Sequence, residues 1–324
     1  MDRKKLLNFL NFIRLILSLG ILYITFYIIG FNNILNAITN LNQWILFVFL
    51  IVVPVTIFLS TLNIYILLRA ALFKISLKEI IPIHFRSWSI SLFTPAKLGE
   101  FSLVYFLKKK DIEYGSSIAV IIADKIITFL IMLLISVPAA YFFADKIKGL
   151  DLPYLMREIF IIILLVIFTS LVLFTENGRK LIVKTGNFLN FNNQLSRIKG
   201  YAKTVSFMQM NKKYILINAI ITILRIALSV FAVYIAFIIS GYNVKYIYIL
   251  LIQSLLFLVS QIPITFSGLG LREGSAVFLY SLILIPEEIT LIVYLAYAIV
   301  MYVFASVFIF SFRIKSGPAM KESL

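Results

Sequence analysis

Two short segments of the chain combine proline, glycine, helix-capping side chains and charge. The first reads TPAKLGE at 94–100, and the second reads PITFSGLGLRE at 263–273. Each joins two apolar stretches that are too short to cross a bilayer comfortably, since a crossing helix needs about 20 apolar residues. Broken apolar segments at corresponding places in two halves of a membrane protein indicate a transport site.

The first segment has the residue types of an anion site at the start of a helix. Thr94 can cap a helix, and Pro95 suits the first helical position. A helix that begins there would direct its free N–H groups and its positive dipole end into the membrane interior. Lys97 adds a positive charge, and Gly99 lets another backbone approach closely.

Glu100 is the unusual member of this segment, because an ionisable residue at membrane depth is costly and tends to mark function. We expect it to pair with a nearby cation or to carry a proton. The candidate partners are Lys97, Lys125 and Arg86. The alternative is that the proline and glycine only form a turn and that Glu100 caps a helix.

The second segment predicts a more flexible anion site. Ser267 can cap a helix, and Gly268 and Gly270 permit a tight turn whose exposed N–H groups form a nest for an oxyanion. Arg272 offers a bidentate phosphate contact that Glu273 can orient. The alternative is that Arg272 and Glu273 form a local ion pair that stabilises a turn.

Three further charges lie inside predicted membrane spans. Asp124 and Lys125 lie about two turns into the span that follows the first segment, although they would be interfacial if that span began later. Arg225 lies near the middle of its span, too deep to reach the membrane surface easily. We expect Arg225 to face an aqueous cavity or to pair with an acid such as Glu100, Asp124 or Glu273. A static ion pair within the helix bundle is the alternative.

The composition defines a polytopic α-helical membrane protein. The 324 residues are 62% hydrophobic and 14% charged, and the mean hydropathy is +1.03. The formal net charge of +16 falls largely in membrane-flanking loops, where topology and anionic lipids explain it better than nucleic acid does. With no cysteine and one histidine, we expect no metal site and no cofactor.

Six segments are predicted to cross the membrane completely. They are 9–29, 43–68, 116–143, 159–175, 214–240 and 289–312. The excess of lysine and arginine beside alternate ends places both termini in the cytoplasm of a multi-pass cell-membrane protein.

Two pairs of shorter arms flank the broken segments, and we expect each pair to form a re-entrant helical hairpin. The four arms are 80–93, 100–107, 247–262 and 274–285. Basic clusters place both ends of the first hairpin inside, whereas the second hairpin opens from the outside. The single membrane domain, 1–324, is therefore predicted to be an inverted-topology repeat with halves 1–150 and 151–324. The alternative is that the arms are full spans.

The two broken segments resemble the motifs of the flippase-like membrane domain of bacterial lysylphosphatidylglycerol synthases. That family also includes stand-alone archaeal and bacterial membrane proteins. The first family motif, TPGKxGE, is matched by Thr94, Pro95, Lys97, Gly99 and Glu100, with Ala96 in place of a glycine. The second, PGGLGxxE, is matched by Gly268, Leu269, Gly270 and Glu273, with Phe266 and Ser267 departing from it.

Two further positions bear on this resemblance, which covers nearly the whole chain. Asp124-Lys125 stands where the family often has Glu-Arg, and Leu103 and Val104 stand where it often has an arginine. The resemblance implies translocation of a lipid or a lipid-linked substrate. Because the sequence stops at Leu324 without the soluble aminoacyl transferase, we expect a stand-alone member that does not synthesise lysyl-lipid.

We therefore predict a translocase for a phosphate-containing lipid with an anionic headgroup, in which the two broken segments meet and hold the phosphate. A phospholipid, a polyprenyl phosphate and a lipid-linked sugar are all candidates, and transport can be coupled to protons or another ion. The alternatives are a membrane-embedded transferase with Glu100 or Asp124 as general base, and a non-catalytic lipid-binding assembly protein. The candidate substrate-binding residues are Arg86, Thr94, Pro95, Lys97, Gly99, Glu100, Asp124, Lys125, Arg225, Ser267, Gly268, Gly270, Arg272 and Glu273.

Overall fold

The described part of the chain is helical throughout. The computed structural model describes residues 3–39, 42–95, 97–144, 146–147 and 200–311, together with isolated positions between 157 and 175. The α-helices in these ranges are α1 Arg3–Ile29, α2 Phe31–Thr39, α3 Trp44–Ala70, α4 Leu77–Leu92, α5 Ser102–Lys108, α6 Tyr114–Ala144, α7 Tyr201–Met210, α8 Lys212–Ile239, α9 Tyr246–Ser260, α10 Leu271–Ser281 and α11 Glu287–Ser311. A 3₁₀ turn at Leu98–Phe101 precedes α5.

Five of these helices are long and apolar enough to cross a membrane. They are α1, α3, α6, α8 and α11, and their apolar parts have mean hydropathies between 2.2 and 2.8. Each coincides within a few residues with a predicted span, apart from the longer start of α1. The sixth predicted span, 159–175, lies mostly outside the described residues. The chain is thus a membrane protein with several apolar helices, as the composition predicted.

Helices α3 and α8 form the most extensive helix pair of the described elements. One apolar cluster packs α3 and α8 against α9, α10 and α11, and its largest side chains include Phe49, Phe237 and Tyr280. A second apolar cluster joins α3 to α4, α5, α6 and α7. Side chains of the first cluster, including Ile57, Val230 and Leu256, line the cavity described below.

The first broken segment reverses the chain, so that α5 returns alongside α4. Ser102 Oγ donates to Ser87 Oγ over 3.1 Å, and Lys110 Nζ binds Glu79 Oε1 over 2.8 Å at the base of the two arms. Gly99 packs directly against α4. A Cβ atom at Gly99 would lie only 2.7 Å from the carbonyl oxygen of Ile90. The arms are therefore antiparallel and in close backbone contact at their tip.

The second broken segment is anchored on the first helix. The Ser18 hydroxyl accepts a hydrogen bond from the Phe266 backbone N–H over 3.2 Å, and Arg14 Nε donates to the Pro263 carbonyl over 3.3 Å. Gly270 has a φ of +81° and lies against α1, where a Cβ atom would come within 2.5 Å of the Ser18 carbonyl oxygen. Glycine is required here both by the left-handed backbone and by the close approach.

The two broken segments touch each other. Pro95 and Phe266 form an isolated antiparallel backbone bridge, although 171 positions separate them in the sequence. The tips of both pairs of arms therefore meet inside the bundle, as we predicted.

The tight packing at the tip of the first pair of arms predicts a loss of stability in Gly99→Ala. The added methyl group would collide with the Ile90 carbonyl, which belongs to a helix backbone and cannot move cheaply. We expect the free energy of unfolding to fall by about 1–3 kcal/mol, measured as a lower thermal midpoint in detergent. Gly20→Ala is the matched control, because no heavy atom lies within 4 Å of its Cβ position. Equal midpoints for the two variants would contradict the packing.

Candidate substrate-binding site

A cavity of about 320 Å³ lies where the two broken segments meet. It is bounded by side chains of α3, α4, α6, α8, α9 and α11 and by both breaks. Seven of the predicted site residues line it, namely Lys97, Glu100, Lys125, Arg225, Ser267, Arg272 and Glu273.

One non-glycine residue in each broken segment has a left-handed backbone and lines the cavity. Lys97 has a φ of +57° and Ser267 a φ of +49°. Residues other than glycine rarely adopt this backbone conformation, and those that do are often at functional sites. The Ser267 hydroxyl is buried and has no hydrogen-bond partner among the described residues.

Glu100 pairs with Lys125, one of the three partners predicted for it. The pair joins the first broken segment to α6. His84 lines the cavity beside this pair. Its Nδ1 atom lies 2.9 Å from Thr61 Oγ1, and the Thr61 hydroxyl donates to the Ile57 carbonyl over 2.9 Å. Since that hydroxyl has only one proton, His84 Nδ1 is the donor and Nε2 is the other ring nitrogen left for the cavity.

Arg225 reaches the cavity without a carboxylate partner among the described residues. Its Nη1 donates to Ser60 Oγ over 3.3 Å and its Nη2 donates to Thr128 Oγ1 over 3.2 Å. Two neutral hydroxyls thus hold the guanidinium, which has no carboxylate of the described residues within ion-pair distance. We predicted that Arg225 faces a cavity or forms an ion pair, and in the structure it lines the cavity.

Arg272 lies between aromatic rings and makes no ion pair with a described residue. Its guanidinium carbon lies 4.8 Å from the centre of the Tyr297 ring and 5.4 Å from that of Tyr294. Cation–π contacts of this kind hold the group while leaving its N–H donors free for a ligand.

Glu273 does not orient Arg272, and the predicted contact between them is wrong. Its Oε2 accepts a hydrogen bond from the Gly270 N–H over 2.7 Å, and its side chain is only 2% exposed. The carboxylate therefore caps the N-terminus of α10, where the helix dipole is positive. Ser267, which we predicted as a cap, is not the N-cap, because Gly270 occupies that position.

The predicted helix start at Thr94 and Pro95 is also wrong. The 3₁₀ turn begins at Leu98, and Lys97 precedes it in a left-handed conformation. Thr94 still contributes a cap, since its hydroxyl oxygen accepts from the Gly99 N–H over 2.6 Å.

Asp124 lies beside the cavity and does not line it. It is 5% exposed and opens into a void of about 10 Å³ that it shares with Glu100, Lys125 and His84. Asn218 Nδ2 donates to Asp124 Oδ1 and to the Asn63 carbonyl, each over 3.2 Å. The buried asparagines that secure Asp124 escaped the sequence analysis, although an amide inside an apolar span is itself a signal.

The remaining candidates belong to the surroundings of the cavity. The Arg86 guanidinium lies 5.7 Å from the centre of the Phe106 ring, and Gly268 packs against Ser260. Thr94, Pro95, Gly99 and Gly270 shape the two tips. Sequence reasoning did not identify Ser60, Thr128, His84 or Tyr297 as cavity residues. Thr128 follows Asp124 by four positions, which places the two on the same face of α6.

The two broken segments of this membrane protein thus border a cavity whose lining includes four cationic side chains and two carboxylates. The family model described as the lysylphosphatidylglycerol synthase TM region matches residues 11–309. The chain belongs to this family, as its motifs indicated. No curated protein and no solved structure matches the chain.

The asparagine contacts predict the effect of Asn218→Leu. The substitution removes two buried hydrogen bonds and leaves Asp124 without its amide donor, so we expect the free energy of unfolding to fall by about 1–3 kcal/mol. Adding Asp124→Leu should restore part of the loss, because the two partners are then both apolar. A double-mutant cycle of thermal midpoints measures this coupling. Strictly additive effects would show that Asn218 and Asp124 act independently.

Proposed function

We propose that the protein is a translocase that moves a phosphate-containing lipid between the leaflets of the cell membrane. The headgroup would enter the cavity between the two broken segments, and the acyl or prenyl tails would remain in the bilayer. The family supports a role with membrane lipids, since its description names the membrane region of a lipid-modifying synthase.

One observation carries this proposal. Lys97, Arg225 and Arg272 all line one buried cavity, and none makes an ion pair with a described carboxylate. Charge that lacks a direct ion pair inside an apolar bundle is costly. A protein that keeps three such charges together gains from an anionic ligand that neutralises them, and a lipid phosphate is the anion that a membrane offers. Ser267 adds an unpartnered hydroxyl to the same site.

We further propose that each pair of arms is a re-entrant hairpin. Arms α4 and α5 are too short to span a bilayer and are antiparallel, and basic clusters flank both ends of this pair. Arms α9 and α10 make the corresponding pair, with Pro286, Glu287 and Glu288 after it. The hairpins would then open to opposite sides in an inverted-topology repeat, with both chain termini in the cytoplasm.

The pair of Glu100 and Lys125 offers a means of coupling. A phosphate that binds Lys125 competes with Glu100, and a displaced carboxylate at this depth favours its protonated form. Loading of the substrate and uptake of a proton would then accompany each other. We propose this as the link between transport and a proton gradient.

We also propose that the chain is not an enzyme. The transferase considered from the sequence would use Glu100 or Asp124 as its general base. Glu100 is paired with Lys125, and Glu273 is bound to the backbone N–H of Gly270. Asp124, the other candidate base, lies outside the cavity and accepts a hydrogen bond from Asn218.

The test is leaflet exchange in liposomes. Purified protein is reconstituted with labelled phosphatidylglycerol or labelled polyprenyl phosphate in one leaflet, with and without a proton gradient. Exchange of either lipid well above that of protein-free liposomes is the expected result. No exchange of any lipid by folded protein would contradict the proposal, and a chemically altered lipid product would favour the transferase.

Removing any of the three unpaired cations should slow exchange. Because a hydrogen bond to a charged group contributes about 1.5–3 kcal/mol, we expect Lys97→Met, Arg225→Met and Arg272→Met each to lower the rate about tenfold or more. Lys245→Met is the control, since Lys245 is exposed and outside the cavity. Thermal midpoints establish that each variant is folded. Wild-type rates in all three cavity variants would contradict the assignment of the site.

A further inference from the structure

A cluster of buried polar side chains lies beside the cavity, where α3, α6 and α8 pack together. Its members are at most 5% exposed, and they are Asn63, Asp124, Asn218 and Thr222. Asn218 Nδ2 donates to Asp124 Oδ1 and to the Asn63 carbonyl, each over 3.2 Å. Asn63 Nδ2 in turn donates to Thr222 Oγ1 over 2.8 Å. The four residues therefore form one connected network across three helices.

The Asp124 carboxylate brings a negative charge into this cluster without a direct ion pair. Its hydrogen bond comes from the neutral amide of Asn218. Arg225 and Lys125 influence it electrostatically, but neither lies within ion-pair distance of it, and Lys125 is paired with Glu100. A carboxylate removed from water is costly unless a positive charge or a proton compensates it.

Two amide oxygens of the cluster lack a donor. Asn63 Oδ1 and Asn218 Oδ1 are buried and have no hydrogen-bond partner among the described residues. The Asn218 amide cannot be turned around to satisfy its oxygen, because a carbonyl and a carboxylate, both acceptors, already bind its nitrogen. A buried acceptor without a partner is itself costly. The cluster thus has more oxygen acceptors than donors.

The two halves of the chain match in the turns on either side of the broken segments. Left-handed Leu72 and Gly241 follow α3 and α8, and the next helix begins five residues later in both cases. Left-handed Asp111 and Leu284 follow α5 and α10, and the next helix begins three residues later in both cases. Positions in the two halves can therefore be paired by counting from these turns, as the proposed inverted-topology repeat requires.

The counterparts of the polar cluster are not hydrogen-bonded polar groups. Counted from the matched turns, they are Phe49 for Asn218, Tyr297 for Asp124 and Ala232 for Asn63. Phe49 and Tyr297 pack edge to face with ring centres 5.2 Å apart, where the cluster has its amide–carboxylate hydrogen bond. An equivalent helix crossing is thus filled by aromatic rings, so packing alone does not explain the buried amides and carboxylate.

The donor set of the cluster suits a small monovalent cation. Carboxylate, amide and hydroxyl oxygens are the ligands of hard cations. The scarcity of cysteine and histidine, which argued against a transition-metal site, does not bear on such a set. One monovalent ion would neutralise the single carboxylate, whereas a divalent ion would leave a buried positive charge. Sodium is smaller than potassium and takes fewer ligands, so it is the better match for so few oxygens.

We propose that Asp124, Asn63 and Asn218 form a sodium site beside the cavity. Thr222 adds a hydroxyl oxygen, and the void of about 10 Å³ next to Asp124 is room for about one water-sized group. Sodium at this site neutralises the carboxylate and gives the two unpartnered amide oxygens a ligand. Asp124 shares the void with Glu100, which also lines the cavity. The site goes beyond the proposed function, because sodium binds here whether or not a lipid is moved.

The first test uses the wild-type protein in detergent without added lipid. Thermal midpoints are measured in sodium, potassium and choline chloride at equal ionic strength and pH. A ligand of the folded state raises the midpoint, so we expect a saturable rise in sodium and a smaller one in potassium. Equal midpoints in sodium and choline would overturn the site, and a rise in potassium as large as that in sodium would overturn its assignment to sodium. A midpoint that follows pH but not sodium would overturn it in favour of a proton.

The second test removes the charged ligand. Asp124→Asn keeps an oxygen that can accept from Asn218 but loses the negative charge. We expect the sodium-dependent rise to disappear and the affinity for radioactive sodium to fall about tenfold or more. Asp111→Asn is the matched control, because Asp111 is exposed and asparagine tolerates its left-handed backbone. A rise of wild-type size in Asp124→Asn would overturn the proposal.

The third test removes one amide oxygen and keeps the carboxylate. Asn63→Ala introduces the residue type of its counterpart Ala232, and we expect the affinity for radioactive sodium to fall about tenfold. Unchanged affinity in folded Asn63→Ala would overturn the assignment of Asn63 as a ligand. The wild-type comparison of salts decides the proposal even if both variants fail to fold. Since no lipid is present, a failed exchange assay leaves these results unaffected.

Discussion

Contact between two interrupted helices deep in an apolar bundle is the constraint on which the rest of the structure depends. A continuous helix satisfies its own backbone groups, whereas a broken one exposes N–H and carbonyl groups that hydrocarbon cannot solvate. In this protein, backbone groups at each tip contact the other tip or a neighbouring helix. Pro95 bridges Phe266, and Ser18 binds the second tip from α1. The space that these irregular backbones enclose becomes polar, and it is there that the charged side chains collect.

The chemistry of the cavity follows from which of those charges are compensated. The carboxylates are used within the protein, one by a lysine and one by a helix N-terminus. Arg225 is held by two hydroxyls and Arg272 lies against two aromatic rings. These contacts fix the position of each guanidinium without forming an ion pair. Under the proposed function, the cations would already be in place before the anion binds, which would reduce the ordering that binding requires.

Much of this could be predicted from the sequence, because hydropathy and charge directly determine how a chain divides between lipid and water. The spans α3, α6, α8 and α11 lie within about three residues of their predicted bounds, and the two motifs do meet. The partners of individual charges were harder to foresee. Arg272 and Glu273 are adjacent in sequence, yet α10 directs one towards aromatic rings and the other towards its own first turn. Local spacing suggested an ion pair that the helix geometry does not form.

The first tip shows the same limit in another form. Thr94 and Pro95 have the residue types of a helix start, but the 3₁₀ turn begins at Leu98, where Gly99 approaches α4 closely. That approach is a tertiary contact between Gly99 and α4, and local sequence patterns do not reveal it. Likewise, Asn63 and Asn218 lie far apart in the sequence, and they join one polar network only because α3 packs on α8. Their positions depend on packing, which a single sequence does not display.

The central claim is that the cavity binds the headgroup of an anionic lipid, and the absence of cysteine from the sequence permits a direct measurement. Ser229, which lines the cavity, is replaced by cysteine, and its rate of alkylation by a neutral maleimide is measured in detergent with added lipid. The account predicts that phosphatidylglycerol or polyprenyl phosphate slows alkylation in a dose-dependent way, whereas phosphatidylcholine does not, and that a cysteine at exposed Lys245 is unaffected. Equal rates at Ser229→Cys with and without every anionic lipid would contradict it.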